Sequence, residues 1–159
     1  MEFSDVIKNR YSCKKFSSEQ IGKDKLDAIL EAGRVAPTAK NLQEQHIYVV
    51  QSESALETID KLTPCRYNAP TVLIVAFNKN NVFTYPGDKR NSGIEDATIV
   101  ATHLMLAACN EGVDSCWINF FNPDELAKAF NLPEDEEILM LLDIGVIDAL
   151  IIIIMWIIS

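Results

Sequence analysis

One uninterrupted apolar segment constrains the fold of this chain more than any other feature. Residues 71–77 read TVLIVAF, and Pro70 stands directly before them. A run of this length predicts a β-strand, and its lack of polar alternation predicts that both faces of the strand are covered. We therefore expect this segment at the centre of a sheet with further structure packed on each side.

Helical and strand patterns interleave along the rest of the chain. Predicted helices are a short one capped by Ser4, one over 23–33, one over 54–62, a long alanine-rich one over 94–111, and one opened by Asn122. Predicted strands lie over 46–51, near 115–118 and over 137–144. Two helices precede the first strand, and no glycine fingerprint follows a strand. These features favour an α+β fold, a mixed sheet flanked by helices, over a dinucleotide-binding fold.

Length and charge narrow the class of protein further. The chain has 159 residues, of which 48% are hydrophobic, which is enough for one compact domain. Lys and Arg number 14 against 23 Asp and Glu, and the resulting net charge of -9 disfavours nucleic acid as a partner. The cysteines show neither a metal-ligand spacing nor a paired motif, and no secretory signal precedes them, so a cytoplasmic protein without a bound metal is expected.

The end of the chain differs from the rest. Residues 146–159 read VIDALIIIIMWIIS, so we divide the chain into a domain over 1–145 and an apolar tail over 146–159. The apolar part is shorter than the roughly 20 residues that a membrane helix needs, so no membrane span is expected. An exposed isoleucine run would aggregate. Two explanations stay open: the tail is buried against a partner subunit, or it departs from the native sequence.

Two early loops carry the residues best suited to ligand chemistry. In the first, Arg10 and Lys14 place two cations near the hydroxyl of Ser12, a combination that suits a phosphate or a carbonyl oxygen. In the second, Thr38 and the amides of Asn41 and Gln43 offer both donors and acceptors, as the edge of a flavin ring requires. The alternatives are a solvated basic loop and a structural Asx-type turn.

Three motifs in this order resemble the FMN-dependent nitroreductase family. The first is R-x-S-x-K-x-F, formed by Arg10, Ser12, Lys14 and Phe16. The second is EAGRVAPTAKNLQ over residues 31–43. The third is NEGVDSCWI over 110–118 with Phe121, after a long helix that looks like the dimer helix of the family. The resemblance extends over residues 3–145.

The resemblance implies an intertwined homodimer with FMN at the subunit interface. The expected contacts to FMN phosphate, ribityl and ring oxygens are Arg10, Ser12 and Lys14, with Tyr11 contributing main chain. The expected contacts from the other subunit are Pro37, Thr38, Asn41 and Gln43. The residues expected against the isoalloxazine ring are Cys116, Trp117, Ile118 and Asn119, with backbone N–H groups near Asn119 and Phe120 approaching N5. Trp117 alternatively packs in the core.

The resemblance also implies an activity, namely the NADH- or NADPH-driven ping-pong reduction of nitroaromatics, quinones or similar small acceptors. The cofactor supplies the chemistry, so no side chain is expected to be essential, and Lys14 is expected to give electrostatic support. Two departures from the family pattern stand out. Glu44 and Gln45 replace a common Pro-Trp pair, and the usual basic tail is missing. The alternatives are a flavin-binding module with little turnover, and a specialised flavin reaction such as dehalogenation or flavin destruction.

Overall fold

The computed structural model describes residues 1–87 and 89–148. Its helices are α1 (Phe3–Asn9), α2 (Lys23–Arg34), α3 (Glu53–Leu62), α4 (Gly93–Asn110) and α5 (Pro123–Ala129). Its strands are β1 (Gln45–Val50), β2 (Thr71–Asn78), β3 (Asp114–Ile118) and β4 (Glu136–Gly145). The predicted elements are therefore present in the predicted order, with boundaries displaced by one or two residues.

The apolar segment forms the central strand β2, as predicted. The strand order is β1-β2-β4-β3, and neighbouring strands run antiparallel. All residues over 71–77 are buried. Within the described residues, the parallel component of the sheet is limited to one bridge between Ser12 and Ser115. The α+β class with helices flanking the sheet is confirmed.

Each face of the sheet carries its own hydrophobic layer. Leu73, Val75 and Phe77 of β2 pack in the layer that contains α2 and α4. The alternate residues Val72 and Ile74 pack in the opposite layer with α3 and α5. Because strand side chains alternate between faces, a strand between two such layers must be apolar at every position. This burial explains the uninterrupted apolar sequence.

Local chemistry explains two of the three helix ends that the sequence predicted from a capping or stop residue. The Asn122 side chain accepts hydrogen bonds from the backbone N–H groups of Asp124 and Glu125 at 3.0 and 3.3 Å, so the predicted cap of α5 is confirmed. Gly112 adopts the left-handed conformation, with φ of 68°, just after α4, as the glycine stop signal predicts. The predicted Ser4 cap is wrong, because α1 begins at Phe3 and its N-cap is Glu2.

The first residues after β4 return to the domain. The backbone N–H of Ser17 donates to the carbonyl of Val146 at 2.8 Å, and Phe16 forms a bridge with Ile147. The remainder of the predicted apolar tail, residues 149–159, lies outside the described residues. Among residues 1–87 and 89–148, no helix is long and apolar enough to cross a membrane.

An ionisable side chain lies unexpectedly in the layer that contains α3 and α5. Asp143 of β4 is fully buried, and its cross-strand partners are Val72 and Cys116. Neither carboxylate oxygen has a hydrogen-bond partner in the described part of the chain. Burial raises the pKa of Asp143 to about 9, although the guanidinium of Arg66 opposes the rise. Asp143 is therefore a neutral carboxylic acid in the folded protein at neutral pH.

This burial predicts that the protein loses stability as the pH rises from about 4 to about 9. In that range the folded state binds a proton at Asp143 that the unfolded state releases, because the unfolded carboxyl has a pKa near 3.9. Asp143→Asn keeps the side chain neutral, so it should raise the free energy of unfolding at pH 8. It should also remove the contribution of Asp143 to the slope of the free energy of unfolding against pH, which is up to about 1.4 kcal/mol per pH unit. Urea unfolding at pH 5, 6, 7 and 8 measures both effects.

The matched control for this experiment is Glu57→Gln, which neutralises an exposed carboxylate on α3. It should leave the pH dependence of stability unchanged. Parallel pH profiles for wild type and Asp143→Asn would show that Asp143 is ionised in the folded state and would contradict the prediction.

Candidate functional site

The first candidate loop, residues 10–14, is fixed against β3. We call it the cationic loop. Ser12 forms the parallel bridge with Ser115, and the backbone N–H of Cys13 donates to the carbonyl of Ser115 at 2.9 Å. The Cys13 side chain is only 1% exposed, whereas Ser12 and Lys14 on either side of it are exposed. A buried anchor in the middle of the loop thus presents the neighbouring polar side chains outward.

The positive charges of the cationic loop are not neutralised within the described chain. Arg10 and Lys14 form no ion pair with a described carboxylate, whereas neighbouring Lys15 lies 3.7 Å from Asp148. Moreover, the Nε atom of Arg10 is buried and has no hydrogen-bond partner among residues 1–87 and 89–148. A buried polar group without a partner is costly. This geometry disfavours the solvated-loop interpretation for Arg10 and fits an anionic ligand.

Tyr11 contributes differently from its neighbours. Its side chain lies beside Asp114 and Cys13, and partial burial together with the Asp114 carboxylate raises the pKa of the Tyr11 hydroxyl. Arg10, Tyr11 and Asp114 line a cavity of about 190 Å³. Because the Tyr11 side chain lies beside the Asp114 carboxylate, main-chain contact is the contribution that suits this residue.

The second candidate segment, residues 116–119, comprises the end of β3 and the residue after it. The side chains of Cys116 and Ile118 are buried in the core, so these residues can offer only backbone atoms to a ligand. Burial raises the pKa of Cys116 to about 11, with Asp143 adding to the rise and Lys14 opposing it, so the thiol stays protonated at neutral pH. Lys14 directly follows Cys13, whose backbone N–H is bonded to Ser115, so Lys14 lies close to this strand.

Beyond β3 the chain turns outward. Trp117 is half-buried against the layer of α2 and α4, and its indole Nε1 donates to Asn119 Oδ1 at 2.9 Å. Asn119 and Phe120 are exposed. The hydroxyl of Thr63 donates to the Phe120 carbonyl at 2.6 Å and fixes the turn. Trp117 therefore both packs in the core, as the alternative predicted, and orients an exposed amide.

The third candidate segment, residues 37–43, has an unusual backbone. We call it the amide loop. Lys40, Asn41 and Gln43 have φ values of 53°, 55° and 56°. The left-handed conformation costs a residue other than glycine roughly 1–2 kcal/mol, so other contacts must hold this shape. One such contact runs from the backbone N–H of Gln43 to Thr38 Oγ1, at 3.1 Å.

The amide loop presents most of its polar groups to solvent. Pro37, Asn41 and Gln43 are exposed, and Thr38 is half-buried because its hydroxyl closes the loop. Gln45, one of the two residues that depart from the family pattern, has a buried Nε2 atom without a described partner. Together with Thr38 and Gln43 it lines a cavity of about 350 Å³. Gln45 therefore forms part of the wall of an open cavity beside the amide loop.

The cationic loop and the amide loop lie at opposite ends of α4 in one chain. At one end, the Cys109 thiol lies 3.6 Å from the Val6 carbonyl and lines the same cavity as Arg10. At the other end, Asp96 Oδ1 accepts a hydrogen bond from the backbone N–H of Ala39 at 2.9 Å. Positions 96 and 109 are thirteen residues apart, which corresponds to about 20 Å along a helix. One chain thus joins the cationic loop to β3 but not to the amide loop.

Comparison with known proteins identifies the family. A family model described as the nitroreductase family matches residues 7–65 and 64–146. The chain belongs to the nitroreductase family. This match confirms the expected family and, with it, an oxidoreductase.

Individual nitroreductase relatives agree with the family match. The solved structure of a nitroreductase family protein from Clostridium difficile 630 superposes with a TM-score of 0.90 and 34% identity, over 93% of this chain and 86% of that one. The structure of an FMN-dependent nitroreductase from Clostridium difficile R20291 superposes with a TM-score of 0.77 and 27% identity, over 91% of this chain and 87% of that one. Bacillus subtilis YodC, provisionally named an NAD(P)H nitroreductase, is 28% identical over 89% of this chain and 87% of its own length.

Sequence analysis missed two polar groups that the nitroreductase fold brings to notable positions. Asp96 contacts the amide loop from a helix 57 residues further along the chain. Glu136 is buried, and its carboxylate bonds both His46 and Tyr48, the latter at 2.5 Å. Neither contact has a local sequence signature, because each joins residues that only the tertiary fold brings together.

Proposed function

We propose that this nitroreductase is an FMN-dependent oxidoreductase that uses NADH or NADPH to reduce nitroaromatics, quinones or similar small acceptors. The observation that carries the proposal is the unpaired Arg10 in a loop fixed to β3, within a chain of this family. The FMN dependence of the Clostridium difficile R20291 relative and the nicotinamide in the name given to YodC support the choice of cofactor and donor. When bound, FMN would accept a hydride from the nicotinamide and return two electrons to the acceptor.

The residues of the chain suit this cofactor. Arg10 and Lys14 supply positive charge for the phosphate, and the exposed hydroxyl of Ser12 adds a donor beside them. Lys14 also lies near Cys116, where its charge would favour electron density on a ring bound against β3. The backbone around Asn119, held outward by Trp117, supplies further donors. These groups would orient the cofactor and stabilise its negative charge, and none of them needs to exchange a proton.

We propose that the amide loop acts on the cofactor of a partner subunit. Its separation of about 20 Å from the cationic loop of the same chain supports a contribution from a second copy. Exposed apolar side chains lie on α1 and α4, with Phe3 66%, Ile7 52%, Ile94 57% and Ile99 37% exposed. If two copies cross their α4 helices antiparallel about a two-fold axis, the amide loop of each approaches the cationic loop of the other. The proposed assembly is a homodimer with two equivalent sites.

The same site would serve donor and acceptor in turn. Sequence analysis found no glycine fingerprint for a separate nicotinamide domain, which supports alternate occupancy of one pocket and ping-pong kinetics. Neither histidine is placed as a general base, because neither lines the cavity beside the cationic loop or the cavity beside the amide loop. All four cysteines are free thiols, which supports the proposed cytoplasmic location.

A second candidate function is a flavin-binding protein with little turnover. The observation that favours it is Gln45, where the sequence departs from the family pattern and the side chain lines the cavity beside the amide loop. Both candidates require FMN, so they differ only in whether the bound cofactor passes electrons to an added acceptor.

Turnover separates the two candidates. We expect the purified protein, saturated with FMN, to oxidise NADH or NADPH when menadione or a nitrofuran is added, and to give parallel double-reciprocal plots because donor and acceptor alternate in one pocket. The measurement is the loss of nicotinamide absorbance, with free FMN at the same concentration as the control. Bound flavin without acceptor reduction would reject the oxidoreductase and leave the second candidate.

Replacing Arg10 tests the phosphate contact. Arg10→Ala removes a charge-assisted hydrogen bond, so it should weaken FMN binding by about 1.5 to 3 kcal/mol, or roughly 10- to 150-fold in Kd. Quenching of flavin fluorescence measures the Kd. The matched control is Lys8→Ala, which removes an exposed cation from the last turn of α1. Equal Kd values for Arg10→Ala and the wild type would remove Arg10 from the site.

Mixed dimers test the sharing of the site between subunits. One variant carries Arg10→Ala and Lys14→Ala, and the other carries Asn41→Gly and Gln43→Gly, since glycine tolerates the left-handed backbone there. Each homodimer should bind FMN poorly. After equal mixing and subunit exchange, about half the dimers are mixed and hold one intact site, so about a quarter of all sites should bind FMN tightly. No recovery in verified mixed dimers would mean that each site comes from one chain.

A further inference from the structure

The amide loop is held by a buried carboxylate on a different element, the helix α4. Asp96 lies in the first turn of α4 and is only 4% exposed. Its Oδ1 atom accepts the hydrogen bond from the backbone N–H of Ala39 at 2.9 Å, and its Oδ2 atom accepts one from the hydroxyl of Ser92 at 2.7 Å. Both oxygens of this carboxylate are therefore occupied, and one of them reaches across to the amide loop.

The contact with Ala39 occurs where the backbone of the loop changes direction. Ala39 lies directly before Lys40 and Asn41, both of which are left-handed. Ala39 also accepts a hydrogen bond at its carbonyl from the backbone N–H of Leu42, at 3.2 Å. The residue that Asp96 holds is therefore the start of the turn that gives Asn41 and Gln43 their exposed positions.

The remaining contacts of Asp96 connect it to rigid structure. The backbone N–H of Asp96 donates to the Ser92 carbonyl at 2.8 Å, and the backbone N–H of Ser92 donates to the Phe83 carbonyl at 2.8 Å. Ser92 is 1% exposed. The carboxylate is thus part of the packed end of α4, whereas the amide loop touches solvent. Such an arrangement transmits the position of a rigid helix to an otherwise strained loop.

We propose that Asp96 is a positioning residue for the cofactor site: through the Ala39 N–H it holds the amide loop in the conformation that receives FMN. The inference rests on the proposed function for its cofactor. It assigns no chemical step to Asp96, which would act through its contact with the loop. Without this contact, the loop would populate other conformations, and FMN affinity would fall in proportion to the loss of the competent one.

Two variants remove the contact from its two sides. Asp96→Ala removes the acceptor, and Ala39→Pro removes the donor while leaving the buried carboxylate in place. Proline suits the first residue of a helical turn, and the extended backbone of Thr38, with φ of −133° and ψ of 157°, tolerates a following proline. Ala39→Pro therefore keeps the test valid if Asp96→Ala fails to fold.

Two further variants serve as controls. Ser92→Ala removes only the other hydrogen bond of the carboxylate, and Asp96→Asn retains an oxygen that can accept from the Ala39 N–H. Both should preserve the loop. If Ser92→Ala disturbs the loop as much as Asp96→Ala does, the effect comes from the end of α4 and the proposed role of the Ala39 contact is overturned.

The first measurement is hydrogen exchange of the Asn41, Leu42 and Gln43 amides in the full-length protein without flavin, since all three are hydrogen-bonded within the loop. Exchange should accelerate in Asp96→Ala and Ala39→Pro and stay near wild type in the controls. The second measurement is the FMN Kd. It should rise about tenfold in Asp96→Ala and Ala39→Pro, if the fraction of molecules with the binding-competent loop falls to about a tenth. In the two controls it should rise less than about threefold.

The outcomes separate this inference from the proposed function. Unchanged loop exchange in Ala39→Pro overturns the inference, and so does faster exchange with an unchanged FMN Kd. A wild-type protein that binds no FMN overturns the proposed function. In that case the inferred role in the cofactor site falls with it, while faster exchange still shows that Asp96 holds the loop.

Discussion

The packing of α4 along the centre of one sheet face sets the separation between the cationic loop and the amide loop. The helix is 18 residues long, and its buried residues pack against α2 and the sheet. Because a packed helix is stiff, it acts as a spacer of fixed length between the cationic loop and the amide loop. The separation of the two loops within one chain follows from this spacing, and the proposed homodimer rests on that separation.

The net charge of the chain and the charge of its site have opposite signs. The whole sequence carries -9, yet Arg10 and Lys14 have no described carboxylate partner. Bulk charge governs long-range repulsion and solubility, whereas binding of an anion depends on the nearest groups and their burial. A buried, unpartnered Nε atom is therefore more informative about the ligand than the total charge.

Sequence analysis predicted the parts of the fold that depend on local or periodic signals. The run over residues 71–77 predicted a central strand, Gly112 predicted the end of α4, and Asn122 predicted the start of α5. The Ser4 cap was wrong because α1 begins at Phe3, and its N-cap Glu2 makes no side-chain capping hydrogen bond that a sequence pattern could signal. Asp143 reads as an ordinary polar residue near the end of a strand. Its burial depends on layers assembled from distant segments, which no local pattern encodes.

The opposite placement of the two loops has a thermodynamic consequence for the proposed dimer. If FMN contacts both subunits, cofactor binding and self-association are linked equilibria, and each must strengthen the other by the same factor. The affinity for FMN would then depend on protein concentration. At dilutions where the dimer separates, each monomer would keep only the contacts of its own cationic loop and β3, and the flavin would be released.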